Sequence, residues 1–200
     1  SAVWEGVVCY DDRRITEIDL HARDVKFTLG EGLGELTSLV WLSLWGSGLH
    51  GTMPRALGSM TFLQTVEVDT TELSGTIPPI TAHSLTHVHA YNTRLSGSIP
   101  REISSLTGLE SVMVSETYIS GTLPEDIGRL LSLAELDVHG SALSGSLPRA
   151  LGEMSALQCL SISNTHFNGH LPSTMEGMAS LWSLTADQTD ISGTLVDALT

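Results

Sequence analysis

Cysteine, positive charge and aromatic side chains are all scarce in this chain, and its apolar residues never form a long run. Two cysteines in 200 residues are too few for a disulfide framework. Cys9 precedes the first repeat described below and Cys159 lies in the seventh; six strand steps of about 4.8 Å separate them by roughly 29 Å. A disulfide spans Cα atoms only up to about 7 Å apart, so the two are not expected to pair. Nine Lys plus Arg stand against 23 Asp plus Glu, a net charge of −14. That balance argues against nucleic acid and anionic lipid as partners, since both need positive charge, and favours neutral or cationic ones. Aromatics make up 5% of the residues while apolar residues reach 41%, which suits a core of aliphatic ladders. No segment approaches the ~18 to 20 apolar residues of a membrane span, so no transmembrane segment is expected.

Catalytic signatures are missing as well. There is no G-x-S-x-G elbow, no G-x-x-x-x-G-K-(S/T) phosphate loop and no H-E-x-x-H, so no enzyme activity, cofactor or catalytic metal is expected. Asn92, Asn164 and Asn168 each lack the third residue of an N-x-(S/T) sequon.

What the chain does have is a period. Residues 133–148, LAELDVHGSALSGSLP, recur with little change, and the second landmark glycine of each unit falls at Gly51, Gly75, Gly97, Gly121, Gly145, Gly169 and Gly193, spaced 24, 22, 24, 24, 24 and 24 residues. Counting back 24 from Gly51 reaches Phe27, a degenerate first unit, for eight in all. Self-similarity this regular predicts a solenoid, in which each unit buries its apolar residues by stacking on its neighbours.

From Ile15 the units follow L-x-x-L-x-L-x-x-(S/T)-x-L, and the L-x-L centre alternates as a short half-buried strand does. The segment L-S-G-x-(I/L)-P follows, as at Leu73, Leu95, Ile119 and Leu143. Its Gly allows a positive φ or a close backbone approach, and its Pro ends the extended piece. The chain then returns through a short helical turn such as LGSMTFL. The third unit loses two residues there, PPITAHSL, so its turn should be tighter and less helical.

This pattern resembles the leucine-rich repeat, specifically its plant-type LSGxIP subclass. It is also similar to the repeats of protozoan, particularly kinetoplastid, surface antigens, which share Thr in the (S/T) slot before the last leucine of the pattern and Met60, Met154 and Met178 before the next strand. The resemblance implies an α/β right-handed superhelix with a parallel concave sheet and short convex strands and 3-10 turns. It divides the chain into an amino-terminal cap remnant, 1–14, and a repeat domain, 15–200, whose last unit is incomplete and is expected to continue past Thr200. In the cap, Trp4, Gly6 and Cys9 form W-x-G-V-x-C; the resemblance implies that Trp4 covers the first rung and that Cys9 pairs with an upstream cysteine. From the residues alone, Cys9 is either free or lacking its partner. The slot the family fills with Asn holds Arg23, Ser47, Thr71, Thr93, Thr117, Ser141, Thr165 and Thr189. A hydroxyl there could still reach a neighbouring turn's carbonyl but satisfies fewer backbone groups than Asn would.

The concave face, where side chains alternate outward between buried rungs, is the informative surface. Trp41 and Trp45 should project from one strand, with Tyr91 two strands on and Glu67, Asp69 and Glu72 between them. Exposed Trp and Tyr are frequent interface anchors, and an acidic surround steers basic partners. His87 and His89 share one strand face beside Glu67 and Asp69, an arrangement that could hold a divalent metal only if the side chains converged. With His21, His139 and His166 lying among the acids, partner binding should change between pH 5 and 7. Cys159 would be a concave thiol. The expected function is noncatalytic protein–protein recognition, extracellular or at a cell surface, with a protein or peptide ligand carrying basic groups. Partner-binding candidates are Trp41, Trp45, Tyr91, Glu67, Asp69, Glu72, His87 and His89. The alternatives are a structural subunit within a larger assembly or a surface coat, and an inhibitor of a secreted hydrolase.

Overall fold

Two parallel sheets, both running the length of the array, form opposite sides of the molecule, and the aliphatic ladders fill the space between them. The computed structural model describes residues 5–10, 14–23 and 25–193. The strands are β1 (Val7–Tyr10), β2 (Arg14–Asp19), β3 (Lys26–Thr28), β4 (Trp41–Ser43), β5 (Gly48–Thr52), β6 (Thr65–Glu67), β7 (Glu72–Thr76), β8 (His87–His89) and β9 (Arg94–Gly97). They continue with β10 (Ser111–Met113), β11 (Tyr118–Gly121), β12 (Glu135–Asp137), β13 (Ala142–Ser146), β14 (Cys159–Ser161), β15 (His166–His170), β16 (Ser183–Thr185) and β17 (Asp190–Ser192). The first sheet has the order β1-β2-β4-β6-β8-β10-β12-β14-β16, and the second runs from β3 to β17 through the odd-numbered strands.

The first sheet is therefore nine-stranded, one more than the eight repeats supply. The extra strand is β1, which pairs antiparallel with β2 (Val7 opposite Ile18), with a register shift between Val8 and Cys9. All later pairs are parallel and in step: Glu17, Trp41, Thr65, His87, Ser111, Glu135, Cys159 and Ser183 lie side by side, as do Ile18, Leu42, Val66, Val88, Val112, Leu136, Leu160 and Leu184. This is the register the repeat predicts. Trp4 and Asp24 lie outside the described residues.

Burial follows the period. Leu39, Leu63, Leu109, Leu133 and Leu157 have no exposed surface, and Phe167 fills the leucine place of its own L-S-G-x segment with none exposed either. Each such side chain contributes about 1.5–3 kcal/mol by leaving water. The helical turns are 3-10 helices, three residues long at Ile127–Arg129 and five at Arg55–Ser59, Arg101–Ser105, Arg149–Glu153 and Ser173–Gly177, the four that follow a proline directly. Each starts on the proline of its segment, whose carbonyl accepts the first turn bond: Leu57 N–H to Pro54, Ile103 to Pro100, Leu151 to Pro148, Met175 to Pro172, at 3.0–3.2 Å. Proline here both ends the extended piece and opens the turn, since it lacks only a donor that the turn does not use.

The shortened third unit has no helix between β7 and β8. Its chain instead crosses close to the preceding turn, where Thr81 donates to the Gly58 carbonyl through its N–H (2.7 Å) and its hydroxyl (3.0 Å). The missing residues leave an apolar void of about 20 Å³ bordered by Leu57, Val66, Ile80, Leu85, Val88 and Ala90.

The slot hydroxyls behave differently from expectation. Ser47, Thr71, Thr93, Thr117, Ser141, Thr165 and Thr189 donate to the carbonyl three residues back in their own turn at 2.6–2.8 Å. At Ser47, Thr71, Thr117 and Thr189 the same oxygen also accepts the N–H two residues on, at 3.4 Å. One hydroxyl thus bridges two backbone groups, and the geometry is that of a local side-chain turn. The stitch between units is made by the serine of L-S-G-x: Ser74, Ser96, Ser120 and Ser144 donate to the carbonyls of Gly51, Gly75, Gly97 and Gly121 in the preceding unit. Those landmark glycines hold φ between 78° and 86°, which L side chains rarely adopt.

Candidate functional site

The open face of the first sheet carries the aromatic and acidic side chains. Trp41 and Trp45 are 44% and 39% exposed. The backbone ladder continues past the strands, Gly46 N–H to Asp69 O and Thr70 N–H to Tyr91 O, both at 2.9 Å. It therefore sets Trp45, Asp69 and Tyr91 on successive rungs. Trp45 is stacked on its other side by His21, with ring centroids 4.9 Å apart and planes within 9°. The His21 Nδ1 in turn meets Asp19 Oδ1 at 2.5 Å.

Asp69 is only 4% exposed. Burial raises its pKa above the usual carboxylate value; a hydrogen bond from the Tyr91 phenol and the nearby His89 oppose that shift, and Glu67 adds to it. Tyr91 is pushed up as well, first by burial and then by its bond to Asp69. His89 is lowered, first by burial and then by His87, with Glu67, Asp69 and Glu135 pulling the other way. The buried carboxylate of this patch is thus Asp69, on the rung beside Tyr91, while Glu67, two residues before it, is only half-buried.

His87 and His89 meet edge to face with centroids 5.9 Å apart. They do not converge on the acids of β6: His89 Nε2 lies 3.0 Å from Ser111 Oγ, which donates onward to Glu135 Oε2 at 3.2 Å, and His87 Nδ1 faces Thr86 Oγ1 at 2.9 Å. Among the described residues no group of three or more His, Cys, Asp or Glu is placed to hold a metal ion. Cys159 is half-buried rather than an open thiol, and burial, then Glu135 beside it in register, raises its pKa. Toward β14 and β16 the face turns to small polar residues, Ser161, Ser183 and Thr185.

Glu72 departs from the expected patch. It opens β7 of the second sheet, is exposed, and pairs with Arg94 at 3.6 Å. Glu116, Tyr118 and Arg94 lie with it on the lateral edge where the first sheet hands over to the second. The cause is a left-handed residue directly after each third concave position: Ala22, Gly46, Thr70, Asn92, Glu116, Gly140, Asn164 and Gln188, all with φ of 51–63°. That turn swings the next two residues off the face. Asn and Gly at four of these positions are the residue types that tolerate such φ, and their 24-residue spacing was the available signal.

A stacked-strand solenoid with landmark-glycine turns and an open inner sheet is a leucine-rich-repeat solenoid. The Leucine Rich Repeat family model matches residues 156–178. The chain is 33% identical over 76 residues to the leucine-rich repeat receptor-like serine/threonine-protein kinase RGI4 of Arabidopsis thaliana, covering 38% of this chain and 7% of that protein. Its fold superposes on PEPR1, solved with AtPEP1, at a TM-score of 0.90, 28% identity, 94% of this chain and 27% of that one. The Arabidopsis receptor kinase HAESA, solved with the peptide hormone IDA and the co-receptor SERK1, gives 0.81, 30%, 85% and 29%. The chain thus spans less than a third of the length of each of these proteins, and its likeness to plant receptor ectodomains lies in their repeats. Among the described residues no helix is long and apolar enough to cross a membrane.

Proposed function

We propose that this chain is a noncatalytic recognition module that takes a peptide or protein segment with basic groups across its concave face, outside the cell or at its surface. The observation that carries the reading is the fit to PEPR1 over 94% of the chain at 28% identity, in a structure solved with AtPEP1, together with HAESA solved with a peptide hormone. In this reading residues 1–14 serve as a cap and 15–200 as the recognition domain. Trp41, Trp45 and Tyr91 supply large, rigid contact area, the role such side chains most often play at interfaces. Glu67 and the rim acids draw in Lys or Arg, and Asp69 lies buried on the rung beside Tyr91. His87 and His89 border the same patch. Glu72, paired with Arg94 off the face, takes a lesser part.

The test is selection from a random peptide library, followed by calorimetry with the selected peptide. Enrichment of Lys and Arg, and a loss of at least tenfold in affinity on Trp41→Ala, Trp45→Ala and Tyr91→Ala together with the fold intact by circular dichroism, are expected. Selection of acidic peptides, or unchanged affinity in the triple variant, would sink the assignment.

A further inference from the structure

One cavity lies off the concave face. It is an open groove of about 550 Å³ along the lateral edge, within the roughly 300–1,000 Å³ of small-molecule sites, and three rungs furnish its wall: Thr70 with Glu72, Asn92 with Arg94, Glu116 with Tyr118. At each end the side chains stop. Gly46 and Gly48 occupy the equivalent places before them, and Gly140 and Ala142 those after. The left-handed turns keep the backbone low between the rungs, and the bare ends leave the trough open.

Its chemistry is polar but not strongly charged. Arg94 is paired with Glu72 at 3.6 Å, and the Glu116 carboxylate reaches His139 Nε2 at 3.4 Å. Glu116 also occupies the space a side chain at position 140 would fill, since a Cβ there would stand 2.6 Å from its Oε1; glycine at 140 is what seats this carboxylate. The slot hydroxyls of Thr71, Thr93 and Thr117 are spent on their own backbone. The Thr70 hydroxyl and the Asn92 amide make no side-chain hydrogen bond among the described residues and face the groove. Above them stands the Tyr118 ring, 67% exposed.

We propose that this groove binds a short neutral saccharide. Planar amide, guanidinium and carboxylate groups along the rungs can each take adjacent sugar hydroxyls, the guanidinium by donating, the carboxylates by accepting and the amide by both, and an exposed tyrosine offers a flat apolar face for the C–H side of a ring. Rungs recur about every 4.8 Å, close to the length of one pyranose, so three rungs suit two or three sugars. A peptide is disfavoured by the same wall. The groove has no apolar well for a side chain, and no free strand edge for backbone pairing, because the strands beneath it are already paired on both sides.

The experiment is calorimetric titration of the chain with cellotriose, chitotriose, xylotriose and maltotriose, with saturation-transfer NMR to locate the bound ring. Binding of at least one, a loss of tenfold or more on Tyr118→Ala and on Asn92→Ala, and a change under twofold in a Trp41→Ala, Trp45→Ala double variant are expected. Both Tyr118 and Asn92 are exposed, so their replacement spares the core. Absence of binding at millimolar sugar, indifference to Tyr118→Ala, or loss in the concave double variant would each overturn the proposal. None of these outcomes bears on peptide binding at the concave face.

Discussion

His21 lies flat on Trp45, its ring plane within 9° of the indole and its centroid 4.9 Å away, while its Nδ1 is held by Asp19. The two residues come from neighbouring repeats, so this stack links the first rung to the second and fixes one face of an exposed anchor. Stacked aromatic pairs contribute about 0.5–1.5 kcal/mol beyond the area they bury. His21→Ala should therefore lower unfolding free energy by about that much and broaden and red-shift the emission of Trp45. Denaturation in urea and tryptophan fluorescence of the folded variant check both.

Burial sets the pH response of the patch. His89 has its pKa lowered in the fold from the ordinary 6.5 of histidine, so the unfolded chain takes up its proton first. The contribution of neutral His89 is fully present above pH 6.5 and is lost as pH falls from there through the lowered folded value. Asp69 runs the other way: its pKa is raised from 3.8, so the ionised form carries a penalty that grows as pH rises from 3.8 through the raised folded value. His89→Gln should flatten the fall in Tm on acidification from pH 7, and Asp69→Asn should raise Tm at neutral pH more than at pH 3.5. A Tm profile superimposable on that of the parent chain would remove the assignment for either residue.

Gly152 sits where the 3-10 turn of one unit meets the next, and a Cβ there would lie 2.0 Å from the Thr174 carbonyl oxygen. Backbone cannot yield as a flexible side chain can. Gly152→Ala should destabilise by about 1–3 kcal/mol, the usual range for overpacking, whereas Gly32→Ala, with open space around it, should change little. Chemical denaturation of the two variants side by side measures the difference.

The void under the short third unit invites filling. In the ladder that includes Ala90, the neighbouring units carry Val68 and Val114, both buried. Ala90→Val should add about 0.5–1 kcal/mol, as cavity-filling changes commonly do, read as a rise in Tm. A fall would mean that the Ile80 segment has already closed down on the space.

Thr117 bridges the Val114 carbonyl and the Ile119 N–H. Thr117→Val keeps shape and loses both bonds in a buried site, so a cost of about 1–3 kcal/mol is expected. Thr117→Ser should recover most of it. Equal losses in the two variants would show that packing of the methyl group, rather than the hydroxyl, is what matters.

The repeat made the first sheet legible rung by rung: the side-by-side rows from Glu17 to Ser183 follow from counting 24 residues, or 22 once. The loss of helix in the third unit was legible for the same reason, because two missing residues must come from the returning segment. The lateral edge was not. Glu72, Arg94, Glu116 and Tyr118 sit one to three residues past the last concave position, and a single left-handed residue decides which way they turn. Thr70 and Glu116 adopt that conformation without being Gly or Asn, so local preference does not announce it; the ladder bonds on both sides impose it. The partner of each slot hydroxyl was not legible either, because spacing alone does not say whether the hydroxyl reaches a carbonyl of its own turn or of a neighbouring one.

By itself the sequence determined the period, and with it the solenoid, the parallel register and the rung positions that are buried in the interior units; Leu181 and Leu184, at the repeat positions of the buried Leu157 and Leu160, are only partly buried on the last described rung. Tertiary structure decided what the periodic surface offers. Stacking brings His21 onto Trp45, Tyr91 onto Asp69 and Glu116 onto the bare backbone of Gly140. These pairs lie about one repeat apart in the chain, and only the superposition of units at strand spacing makes them neighbours.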